Sequence, residues 1–132
     1  EVNVVNEAAQ WYNETLTAAG VVERSIMLPV APDGYRSSWA QYTVQLPEGL
    51  DREGLQATLK EQDIPTMVYY PKPMHMQKAF EGDSVCLDGC PVAAKLCQTA
   101  LSLPMGPYLS RKDVEKAASA MKNWLWEKGS WA

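Results

Sequence analysis

The chain has 132 residues, of which 46% are hydrophobic and 21% charged, and its formal net charge at pH 7 is -4. This length favours one domain that buries enough surface to fold without a metal or a disulfide. The acidic balance argues against a nucleic-acid partner, because no basic stripe is present to release counterions from phosphates. No apolar run approaches the roughly 20 residues that a membrane helix needs, and no signal peptide opens the chain. A soluble cytoplasmic protein is expected.

The first half of the chain predicts two helices with a strand between them. Residues 3–19 carry apolar side chains near a 3.6-residue period, and Gly20 is placed to end that helix. Two prolines and a glycine make residues 21–35 an irregular connection. Residues 38–46 alternate as in a strand with one buried face, and Asp51 caps a helix to about residue 62. The apolar face of the strand comprises Ala40, Tyr42, Val44 and Leu46.

Prolines separate the shorter elements that follow. A second strand is predicted at residues 66–70, and it ends at Pro71 because proline cannot donate a ladder hydrogen bond. Residues 74–80 predict one or two helical turns, and residues 81–89 have the glycine and aspartate content of a mobile surface loop. Pro91 then begins a helix to about residue 99, before a short third strand at residues 101–103.

The strongest helix signal covers residues 110–128. Ser110 is a cap with Asp113 three residues on, and an apolar stripe follows at helical spacing. Three tryptophans cannot all share that stripe, so at least one should be exposed or cover another surface: Trp124, Trp126 and Trp131. Two interpretations are open, namely a surface for a missing partner and a tail that folds back on its own domain.

Few, short strands alternate with helices along the chain. This order predicts an α+β fold, with a small and mainly antiparallel sheet of three or four strands and helices packed on it. Residues 1–132 are expected to form a single domain.

The three cysteines are clustered and odd in number. Cys86, Cys90 and Cys97 make a poor disulfide framework, as expected in a reducing compartment. Their spacing matches no common zinc pattern, and His75, the only histidine, is not close to them in the sequence. We therefore expect structural or incidental thiols, with a metal or redox role as the alternative.

Three segments of the chain resemble a known family: SSWAQYTVQL at residues 37–46, YYPKPMHMQKAF at 69–80 and SLPMGPYL at 102–109. They resemble the C-terminal small domain of the DegT/DnrJ/EryC1/StrS sugar aminotransferases, which use pyridoxal phosphate to place an amino group on a nucleotide-linked keto-sugar. The fold implied is the small domain of a fold-type I aminotransferase. The family's large cofactor-binding domain, with its Schiff-base lysine, would precede Glu1.

The resemblance also implies candidate sugar-binding residues. The segment after the second strand approaches the active-site cleft in such enzymes, which points to four residues: Tyr69, Tyr70, His75 and Gln77. Weaker candidates lie at the start of the first strand: Ser37, Ser38 and Trp39. Tyrosine and histidine offer hydrogen bonds and an apolar face that suits a pyranose ring. The structural alternative is that Tyr69 is core, Tyr70 braces the prolines and His75 is a loop residue.

No cofactor or metal site is expected within the chain itself. Most lysines fall on predicted helix surfaces, and Lys72, between two prolines, has no neighbouring acid or glycine-rich turn. Two positions depart from the family pattern, since relatives commonly carry histidine where this chain has Gly106 and glutamate where it has Ala94. Both departures remove polar groups, which puts catalytic competence in question.

These observations leave three hypotheses of function. The first is the C-terminal domain, or a free-standing remnant, of a pyridoxal-phosphate-dependent nucleotide-sugar aminotransferase. It would contribute packing, a sugar-pocket edge and subunit contacts, and would be catalytically incomplete alone. The second is a free-standing, non-catalytic binding or oligomerisation module, either a homodimer or bound to an unknown partner. The third is a small cysteine-based redox or metal protein.

Overall fold

The computed structural model describes residues 1–128, which contain four helices and two strands. In chain order these are α1 (Val2–Ala18), β1 (Tyr42–Gln45), α2 (Arg52–Glu61), α3 (Pro91–Thr99), β2 (Ala100–Leu103) and α4 (Arg111–Glu127). Short 3-10 turns occupy Val22–Arg24, Met74–Met76, Lys78–Phe80 and Leu87–Gly89. None of the helices within residues 1–128 is long and apolar enough to cross a membrane.

The sheet pairs β1 with β2 in antiparallel orientation. Thr43 lies opposite Ser102 in the register of the two strands. One isolated bridge extends each edge of this ribbon, because Met27 pairs with Gln45 and Met67 pairs with Ser102. The predicted α+β class is confirmed, and four segments of chain contribute to the sheet although only two are strands.

Two predicted strands are shorter than expected. The segment at residues 66–70 contributes only the bridge at Met67, whose N–H donates to the Ser102 oxygen over 3.0 Å. Prolines at both ends of the segment limit its pairing, since proline has no N–H to donate. The strand predicted at residues 38–46 begins at Tyr42, because Trp39 has a left-handed backbone (φ 45°) that turns the chain. Ala40, predicted to be buried, is consequently exposed.

The core lies on one face of the sheet, between the strands and three helices. Tyr42, Val44 and Leu46 point into it, as the alternation predicts. Helices α1 and α2 both pack against α4. The largest fully buried side chains include Tyr12, Leu16, Ile26, Leu55, Leu59, Leu101, Met121 and Leu125. Burying a Leu, Ile or Met side chain contributes about 1.5–3 kcal/mol, so this layer supplies most of the stability.

Two tyrosines join α1 to the sheet. The rings of Tyr12 and Tyr42 stack with centroids 4.6 Å apart and planes inclined by 23°. The Tyr12 hydroxyl donates to the Pro104 oxygen over 2.6 Å, and the Tyr42 hydroxyl donates to Asn13 Oδ1 over 2.6 Å. Burial raises the pKa of both hydroxyls well above the ordinary value, because the phenolate would lose its hydration. Ring stacking and a hydroxyl hydrogen bond therefore hold each tyrosine in place.

The capping residues predicted from the sequence are confirmed. Asp51 accepts a hydrogen bond from the Gly54 N–H over 3.0 Å at the start of α2. Ser110 and Asp113 form a reciprocal capping box at the start of α4. Gly20 follows α1 with a left-handed backbone (φ 76°). These helices begin and end where local side-chain chemistry dictates.

The two tryptophans of α4 differ in their exposure to solvent, as expected. Trp124 is buried, whereas Trp126 is 45% exposed, and Trp131 lies outside the described residues. The guanidinium carbon of Arg24 lies 4.5 Å from the Trp126 ring centroid, and Lys122 Nζ lies 5.9 Å from it. Trp126 therefore covers a part of the surface formed by residues 1–128, while the tail beyond α4 lies outside the described residues.

The buried tyrosines predict a loss of stability in alkali. In the unfolded chain both ionise near pH 10, whereas the fold keeps them protonated. Their contribution is fully present below pH 10 and is lost as the pH rises, because the unfolded state then binds fewer protons. The free energy of unfolding should fall by about 1.4 kcal/mol per pH unit for each tyrosine.

Urea unfolding from about pH 8 to about pH 11 measures this slope. Tyr12→Phe or Tyr42→Phe should each lower stability at neutral pH and roughly halve the alkaline slope. Tyr108→Phe is the matched control, because Tyr108 is 97% exposed, and it should leave the slope unchanged. An identical slope in all four proteins would contradict the assignment.

Candidate functional site

The outer face of the sheet forms the floor of an open groove. Alternate residues of β1 and β2 point away from the core, with α3 on one side and residues 67–70 on the other. The groove has a volume of about 270 Å³. Its lining includes Gln41, Thr43, Met67, Tyr69, Tyr70 and Leu96. A second cavity of about 280 Å³ shares Gln41, Met67, Tyr69 and Ser102 with it and extends to Met105.

A polar pair crosses the floor of the groove. The hydroxyl oxygens of Thr43 and Ser102 are 2.7 Å apart and share a hydrogen bond. Ser102 is only 5% exposed, so Thr43 satisfies a hydroxyl that would otherwise be buried without a partner. Met67 and Leu96 provide apolar walls beside this pair. The groove combines apolar surface with a few polar groups, as small-molecule sites do.

Helix α3 is held beside the groove by an arginine from α2. Arg52 Nη1 donates to the carbonyl oxygens of Cys97 over 2.8 Å and Ala100 over 3.1 Å. The Thr99 hydroxyl is hydrogen-bonded to Gln45 Oε1 over 3.1 Å, which ties the end of the helix to β1. The two arginine bonds satisfy carbonyls left open at a helix C-terminus. The wall of the groove is therefore fixed to its floor.

Two of the predicted sugar-binding residues line this groove. Tyr69 is 49% exposed and Tyr70 is 71% exposed, so the alternative that Tyr69 is core is wrong. Both side chains line the groove and remain in contact with solvent. His75 and Gln77 do not line it. His75 is half-buried in the following 3-10 turn and Gln77 is exposed after it, so the four candidates are not brought together.

The weaker candidates lie at the corner between α1 and β1. Trp39 Nε1 donates to Asn6 Oδ1 over 3.2 Å, and its ring packs 5.6 Å from that of Tyr42. The Ser37 hydroxyl accepts from the Trp39 N–H over 3.0 Å, while Ser38 is exposed. These contacts support the turn into β1. None of Ser37, Ser38 and Trp39 lines the groove among the residues that the structure describes.

Sequence reasoning missed most of the groove's own lining. Gln41 and Thr43 alternate with the apolar residues of the strand predicted at residues 38–46, and this alternation is the signal that could identify them. Ser102 and Leu96 come from segments whose pairing and packing the sequence did not specify. The groove depends on these long-range contacts.

The cysteine cluster differs from the expectation. Cys86 and Cys90 form a disulfide with Cα atoms 6.0 Å apart, whereas Cys97 is a free, buried thiol. His75, expected to be remote, has a ring nitrogen within 4.8 Å of both sulfur atoms. The 3-10 turns after Pro73 fold the chain back, which sequence separation alone does not reveal.

The lysines do not fit a covalent site for pyridoxal phosphate. All eight lie on the exposed surface, and none lines the groove at Tyr69 and Tyr70 within residues 1–128. Lys95 pairs with Glu48 over 3.8 Å at the surface. A Schiff-base lysine needs a site that excludes water and orients the coenzyme, which a solvated lysine does not provide.

Packing does not require a glycine at position 106, where the family pattern is expected to have histidine. Nothing lies within 4 Å of the position that a Cβ would take there. Gly106 also does not have a left-handed backbone, so a larger residue meets no conformational barrier. Ala94 lies on α3, half-buried.

A large part of the exposed apolar surface comes from one stretch of chain. More than half of the exposed large hydrophobic residues in the described part of the chain lie between Met67 and Leu96. They include Tyr70, Met74, Val85, Leu87 and Val92. Such a concentration of apolar surface marks an interaction site more often than scattered exposed residues do.

Comparison with known proteins defines the class of this α+β unit as part of an aminotransferase. A DegT DnrJ EryC1 StrS aminotransferase from Brucella abortus superimposes with a TM-score of 0.80 and 37% identity, over 94% of this chain and 31% of that protein. The UDP-N-acetyl-3-dehydro-alpha-D-glucosamine 3-aminotransferase of Acidithiobacillus ferrooxidans is 36% identical over 118 residues. A pleiotropic regulatory protein of Geobacillus stearothermophilus is 42% identical over 97 residues.

The chain belongs to the DegT/DnrJ/EryC1/StrS aminotransferase family, whose model matches residues 2–122. The matches cover 89% of this chain but 29% of the Acidithiobacillus enzyme, and 70% of this chain but 25% of the Geobacillus protein. The chain thus corresponds to less than a third of the length of these relatives. The resemblance predicted from the three motifs is confirmed.

The hydroxyl pair on the groove floor predicts a measurable coupling. Thr43→Val should leave the buried Ser102 hydroxyl without its partner and cost about 1 kcal/mol of unfolding free energy. Ser102→Ala should cost a similar amount. The double variant should cost about 1 kcal/mol less than the sum, because no unpaired hydroxyl remains. Urea unfolding of the four proteins measures this, and strictly additive costs would contradict the pairing.

Proposed function

We propose that this chain acts as the C-terminal small domain of a pyridoxal-phosphate-dependent nucleotide-sugar aminotransferase. In this role it supplies one edge of the sugar pocket and contacts to the rest of the enzyme, and it is catalytically incomplete by itself. The observation that carries the proposal is the groove lined by Tyr69 and Tyr70, which the apolar surface of residues 67–96 adjoins.

The chemistry of the groove supports a sugar as its ligand. A pyranose has hydroxyl groups around its rim and C–H groups on its faces, so it needs hydrogen bonds and apolar contact together. The Tyr69 and Tyr70 rings provide apolar faces, and their hydroxyls provide hydrogen bonds. Gln41, which also lines the groove, adds an amide. His75, Gln77, Ser37, Ser38 and Trp39 remain weaker predictions, because they lie outside the groove.

The proposal assigns the coenzyme to the remainder of such an enzyme. Pyridoxal phosphate supplies the electron sink for amino transfer when it is bound. The side chains of this chain would bind and orient the sugar and exclude water from it. This division of roles agrees with the surface position of every lysine.

The apolar surface supports contact with other protein. Residues between Met67 and Leu96 would be covered by the large domain or by a second subunit, because this surface adjoins the groove. The same surface also fits the alternative of a free-standing binding module that forms a homodimer. Light scattering on the purified chain distinguishes a monomer from such a dimer. A cytoplasmic location, as we propose, would keep Cys86 and Cys90 reduced in the cell.

A chimera tests the proposed role directly. This chain would replace the matching segment of the Acidithiobacillus ferrooxidans aminotransferase, and the product would be assayed with that enzyme's UDP-sugar substrate. The chimera should transfer amino groups. Tyr69→Ala and Tyr70→Ala should each raise KM for the sugar about tenfold while leaving KM for the amino donor unchanged, because only sugar binding loses contacts.

Tyr35→Ala is the matched control, since Tyr35 is an exposed tyrosine outside the groove, and it should leave both constants unchanged. A folded chimera without activity would contradict the proposed role of the domain. An active chimera in which all three substitutions behave alike would contradict the assignment of Tyr69 and Tyr70 alone.

A further inference from the structure

Three metal-binding side chains converge outside the groove. A ring nitrogen of His75 and the sulfur atoms of Cys86 and Cys90 all lie within 4.8 Å of one another. Each of the three residues is half-buried, so the cluster has access to solvent without being fully exposed. No other histidine, cysteine or carboxylate within residues 1–128 joins this group.

The local backbone holds the cluster in place. His75 lies in the 3-10 turn Met74–Met76, and Cys86 precedes the turn Leu87–Gly89. Three successive residues then have positive φ, namely Asp88 (56°), Gly89 (74°) and Cys90 (46°). This conformation is unfavourable for Asp88 and Cys90, which have a Cβ, and it brings Cys90 back towards Cys86.

We propose that His75, Cys86 and Cys90 bind a zinc ion when the two cysteines are reduced. This inference is independent of the proposed function. One imidazole nitrogen and two thiolates form a ligand set that favours zinc. The hard cations calcium and magnesium prefer oxygen ligands. Three protein ligands leave a fourth tetrahedral position for water or another small ligand.

The distances permit this coordination after a small adjustment. Ligand atoms around tetrahedral zinc are separated by roughly 3.5–3.8 Å, given bond lengths of about 2.0–2.3 Å. The His75 nitrogen therefore has to approach the sulfurs by at most about 1.3 Å from the 4.8 Å limit of the cluster. The sulfurs must separate from their bonded distance, which the exposed segment between the cysteines can accommodate. Cys90 also precedes α3, whose N-terminus favours negative charge.

The disulfide and the zinc site are alternative states of the same sulfur atoms. A phosphine reductant breaks the S–S bond and becomes the phosphine oxide, with an oxygen atom from water, and each sulfur gains a proton. Zinc then replaces the two thiol protons, which pass to the buffer, while neutral His75 donates its lone pair. Oxidation of the pair would release the metal, so binding requires reducing conditions.

Bound zinc would tie two surface segments together. It would fix the turn containing His75 to the segment from Cys86 to Cys90, which directly precedes α3. Because α3 forms a wall of the groove, the metal would restrict motion at one side of it. The main effect of the bound zinc would be to restrain these two segments.

Calorimetric titration with zinc chloride tests the proposal. The chain is reduced with a phosphine and desalted without oxygen, then compared with the oxidised chain. The reduced chain should bind one zinc ion and release up to two protons, measured from the heat in buffers of different ionisation enthalpy. The oxidised chain should bind at least about tenfold more weakly. Cobalt substitution should give the visible absorption of a tetrahedral ion with thiolate ligands.

Substitutions identify the ligands. Cys86→Ser, Cys90→Ser and His75→Ala should each weaken zinc binding by at least about tenfold. Cys97→Ala is the matched control, because Cys97 is a cysteine outside the cluster, and it should bind as the wild type does. Circular dichroism confirms that each variant is folded, as expected for residues in surface turns.

The outcomes separate clearly. Absence of zinc binding by the folded, reduced chain overturns the proposal, as does equal binding by the oxidised chain. Undiminished binding in His75→Ala also overturns it, because the metal would then be held by the cysteines without the histidine. A Cys97→Ala protein that loses binding as the Cys86 variant does would place the metal elsewhere.

Discussion

The pairing of β1 with β2 determines which side chains lie on each face of the sheet. The two strands are far apart in the sequence, and their register sets Thr43 opposite Ser102. On the inner face this register places Tyr42 against Tyr12 in the core. On the outer face it joins the two hydroxyls that form the groove floor. A slip of one residue would exchange these faces, so the core and the groove depend on the same alignment.

Local chemistry made the helices predictable, whereas the site required long-range contacts. The capping box at Ser110 and the cap at Asp51 specify helix starts within a few residues, and the structure contains both. The segment at residues 66–70 has strand-forming residues, yet prolines around it leave a single bridge. Tyr69 and Tyr70 were found through the resemblance to the family. The approach of His75 to the cysteines depends on turn geometry that residue spacing does not encode.

The groove and the adjoining apolar surface give the domain its proposed character as one part of a larger active site. The core covers one face of the sheet. The other face is the floor of the groove, whose walls are α3 and the segment containing Tyr69 and Tyr70. The chemistry that the family performs needs a coenzyme lysine in a closed site, and the lysines here are on the surface. The proposed function therefore places sugar recognition in this chain and amino transfer in the remainder of such an enzyme.

A titration of the purified chain with pyridoxal phosphate tests this separation most directly. Absorbance follows the aldimine, and borohydride reduction followed by peptide mass mapping identifies the lysines that carry the coenzyme. The account predicts no saturable aldimine band, with sparse labelling spread over the exposed lysines. A saturable band with one lysine labelled in every molecule would contradict the account, because the chain would then hold the coenzyme itself.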